Sequence, residues 1–217
     1  MLDKNRNVMK KNTWKKVWHF LWEDDSWESW LVSVIIAYVL IRFLVYPGLG
    51  LVLGTNYPIV AVVSGSMEHD TQFDDWWNTQ QENYLNYGIT KESFQEFGFN
   101  SGFNKGDIMV LKGQEASDIN VGDILVFYSA IKPEPIIHRV IHVRESDDGF
   151  VFTTKGDHNG DIHPFEKNIP EKDIVGTALF RIPFLGWIKI GFVCALDMIP
   201  GINIMPGGSN YMECLLS

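Results

Sequence analysis

The stretch Val63-Ser64-Gly65-Ser66-Met67-Glu68-His69 could supply a nucleophilic serine hydroxyl. That stretch closes an apolar run from Tyr57 and sets a hydroxyl on a turn beside glycine, which relieves the steric cost of a tight turn. A serine hydroxyl becomes a usable nucleophile only when a neighbouring base can take its proton. Six histidines compete for that role: His19, His69, His138, His142, His158 and His163. In the run Ile136 to Val143, period-two alternation puts His138, Val140 and His142 on one face, so spacing does not choose between the two histidines. Each pattern also has a plainer meaning: Ser-Gly-Ser suits any polar turn, a strand histidine is often only hydrogen-bonded, and aspartates in loops cap turns. His69, Asp157, His158, Asp161 and His163 are of types that bind divalent metals. No compact ligand pair such as His-Glu-x-x-His occurs, so no metal or other cofactor is expected.

Ser64-Gly65-Ser66-Met67-Glu68 just past an apolar segment resembles the serine box of type I signal peptidases, peptidase family S26. Lys105-Gly106-Asp107-Ile108, Val121-Gly122-Asp123-Ile124-Leu125-Val126-Phe127, His138-Arg139-Val140 and Thr154-Lys155-Gly156-Asp157 follow in that family's order. Bacterial members carry a lysine where this chain has His138, so the nearer likeness is to the archaeal and endoplasmic-reticulum type with Ser, His and Asp. The resemblance spans Pro58 to Arg181 and implies Ser66 as nucleophile and His138 as base. It further implies Asp161 as the acid orienting His138, with Asp157 in support, although the loop between them is shorter than in the family. The Ser66 backbone N–H and the Ser64 hydroxyl are the expected oxyanion donors.

The elements that must position these groups are legible in outline. The net charge of −9 speaks against a nucleic-acid partner, because a phosphate-binding face needs clustered Lys and Arg. The basic residues Lys4, Arg6, Lys10, Lys11, Lys15 and Lys16 bunch ahead of the first apolar segment, a bias that favours a cytoplasmic N-terminus. Tryptophans at 14, 18, 22, 27 and 30 suit an interfacial helix over Trp14 to Trp30, within a basic and interfacial segment over 1–29. Residues 30–53 are almost wholly apolar apart from Arg42 and Pro47-Gly48. Crossing a bilayer takes about 20 such residues, so the run to Tyr46 must tilt or continue past Pro47. A cleaved leader is disfavoured, because the run exceeds a typical leader core and no small-residue cleavage site precedes the serine box. One crossing then leaves Ser66 outside the membrane.

Tyr57 to Val63 reads as a buried strand delivering the serine turn. An acidic, aromatic insert follows over 69–104, with helices expected at Asp74 to Tyr87 and Lys91 to Phe97 and stops at Gly88, Gly98 and Gly102. It is either a cap burying its own rings, or a lid or aromatic foot on a bilayer. Beyond it the pattern is β: Asp107 to Lys112, Asp123 to Ser129, Ile136 to Val143, Phe150 to Thr154 and Asp173 to Arg181. Phe184 to Met205 is apolar but holds Lys189, Asp197 and Pro200, so an interfacial helix is expected there, with a second span as runner-up. Cys194 and Cys214 imply no disulfide framework.

These readings combine into a mainly β protein, a signal-peptidase-like sheet or barrel over 57–181 with an N-terminal transmembrane helix and a helical insert. The resemblance implies a serine endopeptidase of the cell membrane that cleaves signal peptides from exported preproteins, with its catalytic domain extracytoplasmic. Preprotein signal peptides and membrane lipid are the implied partners, and the translocation machinery a further one. The extended substrate would add a strand beside Ile59, Val60, Ala61, Val62 and Val63. The rival reading from another class is an inactive membrane-tethered β-module that binds extended segments in a secretion or pilus assembly.

Overall fold

The computed structural model describes residues 15–16, 18–147 and 149–197. The basic residues before position 15 and the segment after Asp197, including the end of the expected C-terminal helix, lie outside the described residues. The chain divides into two compact units, Met1–Leu49 and Gly50–Ser217.

Helix α1, Trp27–Leu53, has 27 residues and is long and apolar enough to cross a membrane. At 1.5 Å per residue it reaches about 40 Å, beyond the roughly 30 Å of a bilayer's hydrocarbon. Ser26 caps it, accepting a hydrogen bond from the Ser29 N–H. Pro47 does not end it. Proline lacks an N–H and its ring collides with the carbonyl four residues back, and the helix absorbs this by widening to a π turn over Ile41–Val45, where the Tyr46 N–H reaches the Ile41 carbonyl. Trp18, Trp22, Trp27 and Trp30 are all exposed.

The second unit is a seven-stranded antiparallel sheet in the order β1-β2-β7-β3-β4-β5-β6. Its strands are β1 Ile59–Ala61, β2 Ile108–Lys112, β3 Ile124–Ser129, β4 Lys132–Ser146, β5 Gly149–Lys155, β6 Ile169–Pro170 and β7 Ile174–Ile182. The sheet is buried on both faces. In β3, Ile124 and Val126 join one cluster with Val62, Met67, Met109 and Leu111, while Leu125 and Phe127 join another with Ile136, Val140 and Phe152. β4 begins four residues earlier than its apolar run suggested, because prolines 133 and 135 are tolerated where a strand has a neighbour on one side only. Before Arg139 it pairs with β3 but not with β5.

Two turns that start strands share one construction, Asn104-Lys105-Gly106-Asp107 and Asn120-Val121-Gly122-Asp123. In each, the aspartate carboxylate accepts the asparagine N–H, at 3.0 and 2.9 Å. The glycines sit at φ +89° and +100°, which other residues adopt only with strain. A bulge between Val140 and His142 breaks the alternation that would have put both histidines on one face. His138 is buried, whereas His142 is exposed beside Tyr87.

The insert forms α2, Phe73–Leu85, and α3, Lys91–Gln95. Trp76, Trp77, Tyr84 and Phe94 turn inward and close on Ile141 of β4, so the insert is a packed cap. Beneath it lies Arg139, fully buried with Asp157. The guanidinium donates to Asp157 at 2.7 and 3.0 Å and to the carbonyls of Gly98, Phe99 and Gly122. Asp157 also accepts from Tyr84 Oη at 2.7 Å and from His69 Nε2 at 3.1 Å. Helix α4, Gly186–Asp197, starts where the Gly186 N–H meets the Gly106 carbonyl.

Breaking a buried charge pair from one side strands the other charge, at a cost of about 3–5 kcal/mol. Arg139→Met should lower the unfolding free energy by about that amount in a denaturant titration, and a loss below about 1 kcal/mol would contradict the clamp.

Candidate active site

Strand β1 and the turn after it are fixed from below. Its backbone groups at Pro58 and Val62 bond to β2, with the Leu111 N–H on the Pro58 carbonyl and the Val62 N–H on the Asp107 carbonyl, both at 2.9 Å. By alternation, Ile59, Ala61 and Val63 turn their backbone groups to the open edge. The Ser66 turn is then held by its own backbone. The Ser66 carbonyl accepts the His158 N–H at 2.9 Å and the Met67 carbonyl accepts the Phe103 N–H at 3.0 Å. Met67 is fully buried, and Glu68 accepts the Lys105 N–H at 2.8 Å.

Ser66 Oγ lies 2.9 Å from His138 Nε2, and on the other side of the ring His138 Nδ1 lies 2.5 Å from Glu166 Oε1. A carboxylate only accepts, so Nδ1 carries the ring proton and Nε2 presents its lone pair to the Ser66 hydroxyl. Glu166 is fully buried. Burial alone would raise its carboxyl, but the hydrogen bond and charge of His138 and the His163 N–H hold it below the ordinary range. Its two oxygens also accept the N–H groups of Gly156 at 3.2 Å and His163 at 2.7 Å. Glu166 closes a 3₁₀ turn, Pro164–Glu166, capped reciprocally with His163.

Ser64 Oγ is 3.3 Å from Ser66 Oγ. Both line a cleft of about 230 Å³ between the β1 edge and the first half of β4, walled by Ala61, Val63, Ile136, Ile137, His138 and Phe165. It runs between two strands with unfilled edges. The arrangement supports acyl transfer by serine, with the imidazole as proton carrier and the carboxylate setting its tautomer.

The site residues expected from the sequence divide accordingly. Ser66, His138 and Ser64 come together at the cleft. Asp161 does not meet His138: it is exposed, beside Asn83, Asn86, Tyr87 and Lys167. The reason is the path of the loop, which carries Asp161 outward and brings Glu166 back under the ring. The sequence pattern His163-Pro164-x-Glu166, with proline at the first position of a turn and glutamate at the third, was the available signal. Asp157 contacts neither Ser66 nor His138 through its side chain. Burial would raise its carboxyl, but the Arg139 charge and the His69 hydrogen bond hold it well below the carboxylate range. Of the five strand residues expected to meet substrate, Ala61 and Val63 line the cleft and Ile59 extends its edge. Val60 and Val62 point the other way into the core, as alternation requires.

The histidines considered for metal binding disperse. His69 stacks on Trp76, His158 faces Asp70 at 3.2 Å and His163 stacks on Phe165. Among the described residues, no group of three or more His, Cys, Asp or Glu is placed to hold a metal ion.

No family model matches the chain. Among curated proteins it is 30% identical over 153 residues to the signal peptidase complex catalytic subunit SEC11C of Homo sapiens, an alignment that takes in 68% of this chain and 63% of the human protein. It is 34% identical over 157 residues to the catalytic subunit SEC11 of Lachancea thermotolerans, covering 68% of this chain and 73% of that protein. To the sec11 subunit of Schizosaccharomyces pombe it is 33% identical over 151 residues, covering 67% and 72%. The chain thus spans less than two thirds of the length of the mammalian SEC11C proteins it matches.

Glu166→Gln should keep the shape of the turn but lose the charge that fixes the tautomer, cutting the rate of any acyl transfer at Ser66 by about 100-fold or more. Asp161→Asn should leave that rate within about threefold; the reverse ranking would restore Asp161 as the orienting acid. A second expectation concerns Lys155, whose buried ammonium is pushed down to about 8 from 10.5. Between those values the unfolded chain binds more protons than the folded one, so this group makes stability rise with pH across the window. The unfolding free energy of the native protein relative to Lys155→Met should therefore climb between those two pH values, and a flat difference would contradict it.

Proposed function

Because the chain belongs to the SEC11 family of signal peptidase catalytic subunits, we propose that it is a membrane-bound serine endopeptidase that removes N-terminal signal peptides from exported preproteins. The observation that carries this reading is the 2.9 Å contact between Ser66 Oγ and His138 Nε2 at the floor of an open cleft. The substrate lies extended between the β1 edge and β4, using the backbone groups that Ala61 and Val63 leave free. Ser66 Oγ attacks the scissile carbonyl while its proton passes to His138 Nε2. Glu166 faces the resulting imidazolium across Nδ1. The oxyanion is met by the Ser66 N–H and the Ser64 hydroxyl. The imidazolium then protonates the leaving amine, and water, deprotonated by the same nitrogen, releases the acyl group and restores the serine.

Helix α1 supports a membrane anchor, because nearly all of its apolar side chains face outward, where only hydrocarbon would receive them. Basic residues ahead of it favour a cytoplasmic N-terminus, and we read the β unit as extracytoplasmic. The serine then follows α1 by a short tether, which suits an enzyme that cuts peptides emerging from the membrane. Lipid and signal peptides are the partners. The relatives' names place them in a complex, and further subunits or the translocation machinery are partners of the same kind here.

The test is cleavage of a radiolabelled preprotein by the detergent-solubilised protein. Ser66→Ala should abolish it, and Ser64→Ala should slow it by about 100-fold, the cost of one oxyanion donor. No cleavage by the intact protein, or equal cleavage by Ser66→Ala, would refute the peptidase and leave a peptide-binding module.

A further inference from the structure

The segment 69–104 enters the chain directly after the serine turn, and polar side chains on one face of its helix α2 converge on one loop. Gln80 Oε1 accepts from Lys155 Nζ at 3.0 Å, and the same ammonium donates to the carbonyls of Gly156 and Asn159. Gln80 Nε2 donates to the His158 carbonyl at 3.5 Å, and Asn83 Nδ2 donates to the Gly160 carbonyl at 2.6 Å. Tyr84 Oη holds Asp157. Positions 80, 83 and 84 share one face of α2, as neighbours three and four apart must.

The loop they hold touches both ends of the proton path. Its His158 N–H bonds the Ser66 carbonyl, and its Gly156 N–H bonds Glu166 Oε1. It then leads into the turn that carries Glu166. We infer that α2 is a built-in positioning element for this site, with Gln80 and Asn83 as positioning residues that set the loop and, through it, the alignment of Ser66, His138 and Glu166. Neither residue touches the cleft, so neither is a catalytic residue. The inference rests on the peptidase reading for its catalytic consequence, but its structural core, control of the loop by α2, is measurable without catalysis.

The double variant Gln80→Ala/Asn83→Asp keeps the helix and its buried rings while removing both donors to the loop carbonyls. Two readouts follow. Amide hydrogen exchange at Gly156 and His158 should quicken about tenfold or more, with β3 amides unchanged, since local opening is separable from global unfolding. In preprotein cleavage kcat should fall about tenfold with KM held within about twofold, because displacement of reacting groups acts on the transition state. Asn83→Gln, which keeps a donor, should recover part of kcat. Unchanged exchange at both amides overturns the inference whether or not the protein cleaves anything. Faster exchange in β3 as well would overturn it by showing general loosening. An intact protein that fails to cleave sinks the peptidase reading alone, and quickened loop exchange would still establish the positioning element.

Discussion

Two opposite charges, Arg139 and Asp157, sit side by side and fully buried, and the arrangement of the candidate site depends on that pair. Removing such charges from solvent costs several kcal/mol per ion, so a pair of this kind persists only when every remaining donor and lone pair is satisfied. Three carbonyls complete the guanidinium, and a phenol and an imidazole complete the carboxylate. Those partners come from the insert and the β2–β3 connection, and the pair itself joins β4 to the residue stretch after β5, so one interaction fastens four parts of the chain. Arg139 must face the insert, and alternation then turns its neighbour His138 to the opposite face, toward Ser66. Asp157 likewise fixes the start of the loop that ends at Glu166.

The electrostatics on the two faces differ in purpose. On the Arg139 face, the guanidinium and the Asp157 carboxylate are matched to each other in the buried interior. On the His138 face, one buried carboxylate meets one imidazole, and the ring's second nitrogen opens onto the cleft. That asymmetry is what a general base requires: a fixed tautomer behind and an accessible lone pair in front. The cleft itself is left open by the sheet, because β1 has a partner on one side only and β4 is single-sided until Arg139.

Much of this could be read from residue order. The serine turn, the β runs after Lys105 and the two helices of the insert follow from periodicity and punctuation, and the apolar helix follows from its length. Three features could not. The β4 bulge that separates His138 from His142 arises from pairing with β5, which no local pattern announces. The π turn that carries α1 through Pro47, a continuation the sequence allowed, is a device that helix propensity does not foresee. Asp161 seemed the natural third member because it stands in the family's place, but the loop is too short to bring it back, and the chain reaches the ring through Glu166 instead. A longer carboxylate on a capped turn reaches the ring from a shorter loop, and only the fold reveals that contact.

In this geometry His138 holds its proton on Nδ1, against Glu166, and leaves Nε2 for the serine. Nitrogen-15 NMR of the histidine-labelled protein in detergent reads this directly at a pH where the ring is neutral. A protonated Nδ1 and an unprotonated Nε2 are expected for His138. A ring carrying its proton on Nε2 would leave Ser66 facing a donor and would contradict that expectation.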